Sequence, residues 1–129
     1  MLPLAGVKVV EIAENLAGPY AGQILALMGA DVLKVERPEG DNARGWGPPF
    51  HGGMATAFHA MNLNKRSVTL DFRNEGDFAW LVERIGQSDV VVQNISRRSA
   101  CPVPRSTIWG CCIPTRRSPH SECWRRRRG

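Results

Sequence analysis

Two arginines, Arg37 and Arg73, each come directly after a short apolar, β-branched run, Val32 to Glu36 and Ser67 to Phe72. A guanidinium offers a planar fork of N–H donors that matches phosphate oxygens. In parallel sheets, ligands bind beyond the carboxyl ends of the strands. Two more segments meet that description: Asn15 to Pro19 after the run Val7 to Ile12, and Asn94 after Asp89 to Gln93. Four such positions, two of them carrying arginine, point to recognition of a phosphorylated ligand. Lys65 and Arg66, just ahead of the third run, add positive charge nearby in sequence. The alternative is that Arg37, Arg73, Lys65 and Arg66 are solvated surface charge.

Other chemistries find less support. Gly18, Gly22 and the later Glu36 suggest a dinucleotide fingerprint, but the second glycine of G-x-G-x-x-G, needed for close pyrophosphate approach, is missing. His51, His59 and His120 do not cluster with carboxylates. Cys101, Cys111, Cys112 and Cys123 contain no C-x-x-C pair, so no metal site is expected. Asp31, Asp41, Asp71 and Asp89 read as caps or solvated charges. No nucleophile elbow, phosphate-binding Walker loop or paired-carboxylate arrangement is present.

The elements that must position the arginines alternate between strand and helix. Val7 to Ile12 is apolar enough for a strand buried on both faces. Gly18-Pro19 suits a helix start, with Gly as N-cap and Pro at the first helical position. The following apolar segment (Ala21, Ile24, Leu25, Leu27, Met28) predicts a packed helix that ends at Gly29 in a left-handed turn. Val32 to Glu36 is a second strand. A Gly- and Pro-rich loop runs from Pro38 to Gly53, and Met54 to Met61 suits one or two helical turns. Ser67 to Phe72 is a third strand. Asn74 caps a helix with Phe78, Leu81, Val82 and Ile85 at i, i+3, i+4 and i+7, closed by Gly86. Asp89 to Gln93 is the fourth strand. This order predicts an α/β fold, a parallel sheet with flanking helices.

The charge is divided along the chain. Of 129 residues, the first 93 hold 8 Lys and Arg against 11 Asp and Glu, while residues 94–129 hold 9 Arg and one Glu. All four Cys also fall in that second stretch, as if two different polypeptides were joined near Asn94. With 43% hydrophobic and 22% charged residues, the composition is that of an ordinary globular protein. No run approaches the ~20 apolar residues of a membrane span. Met1 to Gly6 lacks the charged start and apolar core of a secretory signal. A cytoplasmic chain without a membrane segment is expected.

Several phrases together resemble a known family. They are Leu4-Ala5-Gly6-Val7, Leu16-Ala17-Gly18-Pro19-Tyr20-Ala21-Gly22, and the stretch from Leu27-Met28-Gly29-Ala30-Asp31 through Val35-Glu36-Arg37-Pro38. Arg44-Gly45-Trp46, Asn62-Leu63-Asn64-Lys65-Arg66-Ser67 and Leu70-Asp71 follow. Residues 1–94 resemble the start of a family III CoA-transferase, the group that includes formyl-CoA transferase and α-methylacyl-CoA racemase. The resemblance implies a Rossmann-like large domain that binds coenzyme A or acyl-CoA as substrate, in an interlocked homodimer. It implies CoA contacts at Leu16, Ala17, Arg37, the stretch Leu70, Asp71, Phe72 and Arg73, and Asn94. It also places the family's aspartate nucleophile, which forms an acyl anhydride and then an aspartyl-CoA thioester, beyond residue 129. The chain would then hold half of a substrate site and no catalytic residue, and be inactive alone. Formyl-CoA transferase has Gln where this chain has Leu16, which argues against an oxalate-sized acid and for a larger or more apolar one. The stretch Asn62 to Ser67 reads as the transferase branch rather than the racemase branch.

After Asn94 the resemblance and the periodicity stop together. Pro102, Pro104, Pro114 and Pro119 interrupt any longer element, and a disordered basic tail over 95–129 is expected. Some codon choices for Ile95 to Pro102 read Phe-Arg-Gly-Gly-Ala-Leu-Ala-Arg after a one-nucleotide shift, close to the family's continuation. The tail is therefore expected to be an out-of-frame product, and the parallel sheet truncated. The alternative is a catalytically dead α/β module whose tail, with Trp124 beside Arg125 to Arg128, binds polyanions such as nucleic acid.

Overall fold

The computed structural model describes residues 1–94 and the strand Cys112–Pro114. The first strand, β1 (Lys8–Ile12), is followed by helix α1 (Ala17–Leu27) and strand β2 (Asp31–Glu36). A 3-10 turn (Asn42–Gly45), the hairpin strands β3 (Phe50–His51) and β4 (Met54–Ala55), and α2 (Thr56–Met61) come next. They lead into β5 (Arg66–Thr69), α3 (Glu75–Gln87), β6 (Val90–Gln93) and β7 (Cys112–Pro114).

Strands β1, β2, β5 and β6 form the expected parallel sheet, in spatial order β5-β2-β1-β6, with β7 added antiparallel to β6. Chain order runs outward from β1 through β2 to β5 and then returns to the other side of β1. The point of reversal lies between β1 and β6, where open α/β sheets form a crevice beyond their strand ends. Both faces of the sheet are covered, which is why β1 and β2 read as nearly continuous apolar runs. Val10, Ile12, Val35 and Val91 pack with Leu81 and Ile85 of α3 on one face. Val9, Val32 and Val92 pack with Ala26 and Ala30, beneath α1, on the other.

Side chains alternate across a strand, so Glu11, Lys34 and Glu36 share the α1 face with Val9 and Val32. That face is apolar at its amino end and charged at its carboxyl end, and all three charged residues are buried.

Several boundaries differ from the sequence-based expectation. α1 begins at Ala17, so Pro19 is its third residue rather than its first. The first N–H groups of a helix have no intrahelical acceptor, and the first long bond is Tyr20 N–H to Leu16 C=O at 2.8 Å, so proline is tolerated there. Gly29 does take the expected left-handed conformation, with φ of +100°. The loop from Pro38 to Gly53 contains the 3-10 turn and most of a hairpin, whose turn is Gly52-Gly53, both with positive φ. β5 ends at Thr69 because Asp71 turns the chain, accepting from Arg73 N–H at 3.0 Å while its C=O accepts from Asn74 N–H at 2.9 Å. Asn74 caps α3 as expected, through Gly76 and Asp77 N–H. Gly86 lies inside α3, which is closed by Ser88 bonding Ile85 C=O at 2.8 Å. β7 is a short element after Asn94 that the sequence did not suggest; the disorder expected elsewhere in 95–129 falls outside the described residues.

Candidate functional site

The strand order brings the four strand ends to one edge of the sheet, in the sequence Leu70–Arg73, Arg37, Asn15–Ala17, Asn94. At the crevice, Asn94 grips the loop after β1: its Oδ1 accepts from Glu14 N–H at 2.9 Å and its Nδ2 donates to Glu14 C=O at 2.7 Å. Asn15 follows with φ of +67°, a left-handed turn that asparagine tolerates. On the other side, Arg37 Nε lies 3.2 Å from Glu14 Oε1 and donates to Gly40 C=O, while Nη2 donates to Asn42 Oδ1 at 2.8 Å. Arg37 Nη1 has no partner among the described residues. The half-exposed guanidinium is thus held at the rim by its own loop, with one nitrogen left for a ligand.

α1 points its amino end at the same crevice. Its N-cap residue is Leu16, about half exposed, which supplies no side-chain acceptor, and the first turn holds no acid. α3, by contrast, has Asn74 at its cap and both Glu75 and Asp77 in its first turn. A helix amino end without such partners favours an anion.

The stretch Leu70–Arg73 divides. Leu70 is buried in the α3-side core and Phe72 packs against it. Their backbone and the exposed Arg73, whose guanidinium has no partner among the described residues, are what this edge presents. Lys65 and Arg66 do not join it. Arg66 forms a bidentate pair with Asp31 at 2.7–3.1 Å, at the amino ends of β5 and β2 and so at the opposite edge. Lys65 is buried. Its Nζ donates to Pro19 C=O at 2.7 Å and Asn62 Oδ1 at 2.9 Å, and pairs with Glu11 Oε2 at 2.8 Å.

Beneath the crevice lies a buried ionic network that the sequence reading missed. Lys34 Nζ donates to Glu11 Oε1 at 3.2 Å, Asp41 Oδ2 at 2.9 Å and Ala13 C=O at 2.8 Å. Asp41 Oδ1 accepts from Asn15 N–H and Ala43 N–H, so Asp41 does cap the 3-10 turn, but it is buried rather than solvated. Glu36 takes a fork from Arg44 at 2.8 and 2.9 Å and the Asp41 N–H at 3.1 Å. Its carboxylate is thus committed to this network rather than to a ribose. Three carboxylates face three cations, so the cluster is neutral. Burial pushes the Glu11 carboxyl above the usual range and the Lys65 ammonium below its own, the pairing between them offsetting part of each shift. For Asp41 and Glu36, burial also raises the pKa. The backbone N–H groups and Lys34 at Asp41, and Arg44, the Asp41 N–H and Lys34 at Glu36, together outweigh that and leave both below the usual range.

The two glycines of α1 make room for this arrangement. A Cβ at Gly18 would collide with the Ala13 side chain and stand 3.2 Å from Asn94 Cγ. A Cβ at Gly22 would land on the Glu11 carboxylate, 2.9 Å from its Cδ. Their spacing therefore serves helix–sheet packing and not a pyrophosphate loop. A sequence signal for the network did exist: a charged residue at the carboxyl end of two apolar strands, Glu11 and Lys34, on the same face. His51 and His59 meet edge to face at 5.9 Å on the hairpin side, and His120 and the four cysteine side chains lie outside the described residues.

The pattern that defines CoA-transferase family III matches residues 4–100. The chain belongs to that family. It is 46% identical over 102 residues to succinate–glutarate CoA-transferase of Agrobacterium fabrum, an alignment that takes in 74% of this chain and 26% of the relative. Against the human succinyl-CoA:glutarate CoA-transferase it is 41% identical over 93 residues, 71% of this chain and 21% of the relative. A CAIB/BAIF family protein from Brucella suis superposes with a TM-score of 0.70 at 51% identity, over 73% of this chain and 26% of that structure. The family III chain thus spans about a quarter of the length of the relatives it matches. Among its described residues no helix is long and apolar enough to cross a membrane.

Proposed function

We propose that this chain supplies the phosphate-gripping part of a coenzyme A thioester site, in an enzyme that moves CoA between an acyl-CoA and a free carboxylate. The observation that carries the reading is the set of anion-seeking groups on one sheet edge at the switch point: the Arg37 and Arg73 guanidinium groups and the uncapped amino end of α1. Asn94 and Arg37 hold the loop between them from opposite sides, so Leu16 and Ala17 line the crevice with little freedom.

Leu16 sets the acid. An exposed isobutyl group offers nothing to the second carboxylate of an oxalate-sized substrate, whereas a longer acid can run past it. The relatives named for succinate and glutarate fit that size. On this reading the family's aspartate nucleophile lies beyond residue 129, and the chain binds without turnover. We take residues 1–94 as the family portion and 95–129 as a tail read out of frame. The exposed apolar stripe on α1 is the surface that further polypeptide, or a second copy in the family's interlocked dimer, would cover.

Calorimetric titration of the 129-residue chain with CoA tests the site. Binding is expected, weakened about 10- to 100-fold by Arg37→Gln or Arg73→Gln, from the ~1.5–3 kcal/mol of a charge-assisted hydrogen bond, and further by the two together. CoA affinity that is absent in the parent, or unchanged in the double variant, overturns the reading. Turnover of succinyl-CoA with glutarate by the chain alone overturns its inactivity.

A further inference from the structure

The three residues after β1 are each pinned by a different side chain. Ala13 C=O accepts from Lys34 at 2.8 Å, Glu14 N–H and C=O are taken by Asn94, and Asn15 N–H donates to Asp41 Oδ1 at 3.0 Å. Asp41 is the junction. Its fully buried carboxylate also accepts from Ala43 N–H at 2.9 Å and from Lys34 at 2.9 Å, and its own N–H bonds Glu36 Oε2 at 3.1 Å. One side chain thus ties the loop that leads to Leu16 to the turn that follows Arg37. A buried ion pair is seldom more stable than apolar residues of the same volume, so its gain here is geometric. Asn15 is itself exposed, and the Asp41 bond is what shields its amide.

We propose that Asp41 is a positioning residue: through Asn15 N–H and Lys34 it sets the β1–α1 loop, and with it Leu16 and Ala17, at a fixed distance from Arg37. The proposal rests on the CoA reading for its functional consequence but not for its geometry. The carboxylate does not touch ligand; it holds the two loops that do.

Amide hydrogen exchange and CoA titration on the 129-residue chain test it, with Asp41→Asn, Asp41→Ala and, as a control, Arg66→Ala in the exposed pair at the opposite edge. In Asp41→Ala the Asn15 amide is expected to exchange at least tenfold faster while the Val10 and Val91 amides keep their protection, and CoA affinity falls about tenfold. Asp41→Asn, which keeps one acceptor oxygen, gives a smaller change at both readouts. Arg66→Ala leaves both unchanged. Unchanged Asn15 exchange in Asp41→Ala overturns the proposal. So does loss of Val10 and Val91 protection in both Asp41 variants, which would make the residue one that the whole fold needs. A parent chain without CoA affinity removes the ligand reading alone, and the exchange comparison still decides whether Asp41 positions the loop.

Discussion

Replacing a helical glycine with alanine ordinarily stabilises a protein by about 0.4–1 kcal/mol, because the unfolded chain loses freedom. Gly22 and Gly86 should depart in opposite directions. At Gly86, inside α3, no atom lies within 4 Å of the added Cβ, so Gly86→Ala is expected to stabilise by that amount. At Gly22 the methyl would occupy the place of the Glu11 carboxylate, with Lys65 Nζ 3.3 Å away. The carboxylate is buried, and moving it leaves Lys34 with Asp41 alone as an ionic partner and Lys65 with only the neutral acceptors Pro19 C=O and Asn62 Oδ1. Breaking a buried pair costs about 3–5 kcal/mol; less the ordinary gain, Gly22→Ala should destabilise by roughly 2–4 kcal/mol. Urea denaturation of both variants beside the parent measures this. With a slope of about 1–3 kcal/mol per molar, the Gly22→Ala midpoint should fall by at least ~0.7 M while that of Gly86→Ala rises. A Gly22→Ala chain as stable as the parent would mean that the Glu11 carboxylate does not sit beneath α1.

Three other outcomes are expected. Asp41 and Glu36 titrate below the usual carboxylate range, so their stabilisation is complete at neutral pH and is lost as pH falls through the usual carboxylate range and below; Glu11, shifted upward, works in the opposite sense. Urea midpoints from pH 7 to pH 3 should therefore fall steeply in the parent and less steeply in Asp41→Asn. The apolar stripe on α1, with Leu16, Tyr20, Ile24 and Leu27 each at 43–55% exposure, should cause self-association, and light scattering should show more monomer in Tyr20→Lys with Leu27→Lys. Sequencing the gene around codon 94 should reveal a frame that restores the family's continuation; if none does, the tail belongs to the protein, and salt-dependent binding of nucleic acid by Arg125 to Arg128 becomes the reading to pursue.

The parallel sheet was legible because Val7 to Ile12, Val32 to Glu36 and Asp89 to Gln93 are apolar runs of strand length separated by helix-length segments. Helix boundaries were less so. Leu16 as the cap of α1 and Ser88 as the end of α3 depend on which backbone groups find partners, and glycine and proline mark such sites only approximately. Of the candidate site residues, Arg37, Arg73 and Asn94 were visible from their place after a strand, and the strand order put them on one edge. Arg66 and Lys65 show where adjacency in sequence misleads. Successive residues of a strand point to opposite faces, and the first residues of β5 lie a sheet's width from its end.

Membership of the family and the succession of strands and helices could be taken from local patterns and motifs, because both are written in residues close together along the chain. The buried network of Glu11, Lys34, Asp41 and Lys65 could not, beyond the hint of Glu11 and Lys34 set in apolar strands. Its members come from four separate segments, and a charged side chain looks solvated until folding removes the water around it. Packing α1 through its two glycines against the sheet seals that cluster, and the sealed charges in turn hold the crevice loop. Such a dependence exists between layers in space and has no counterpart in the one-dimensional order of residues.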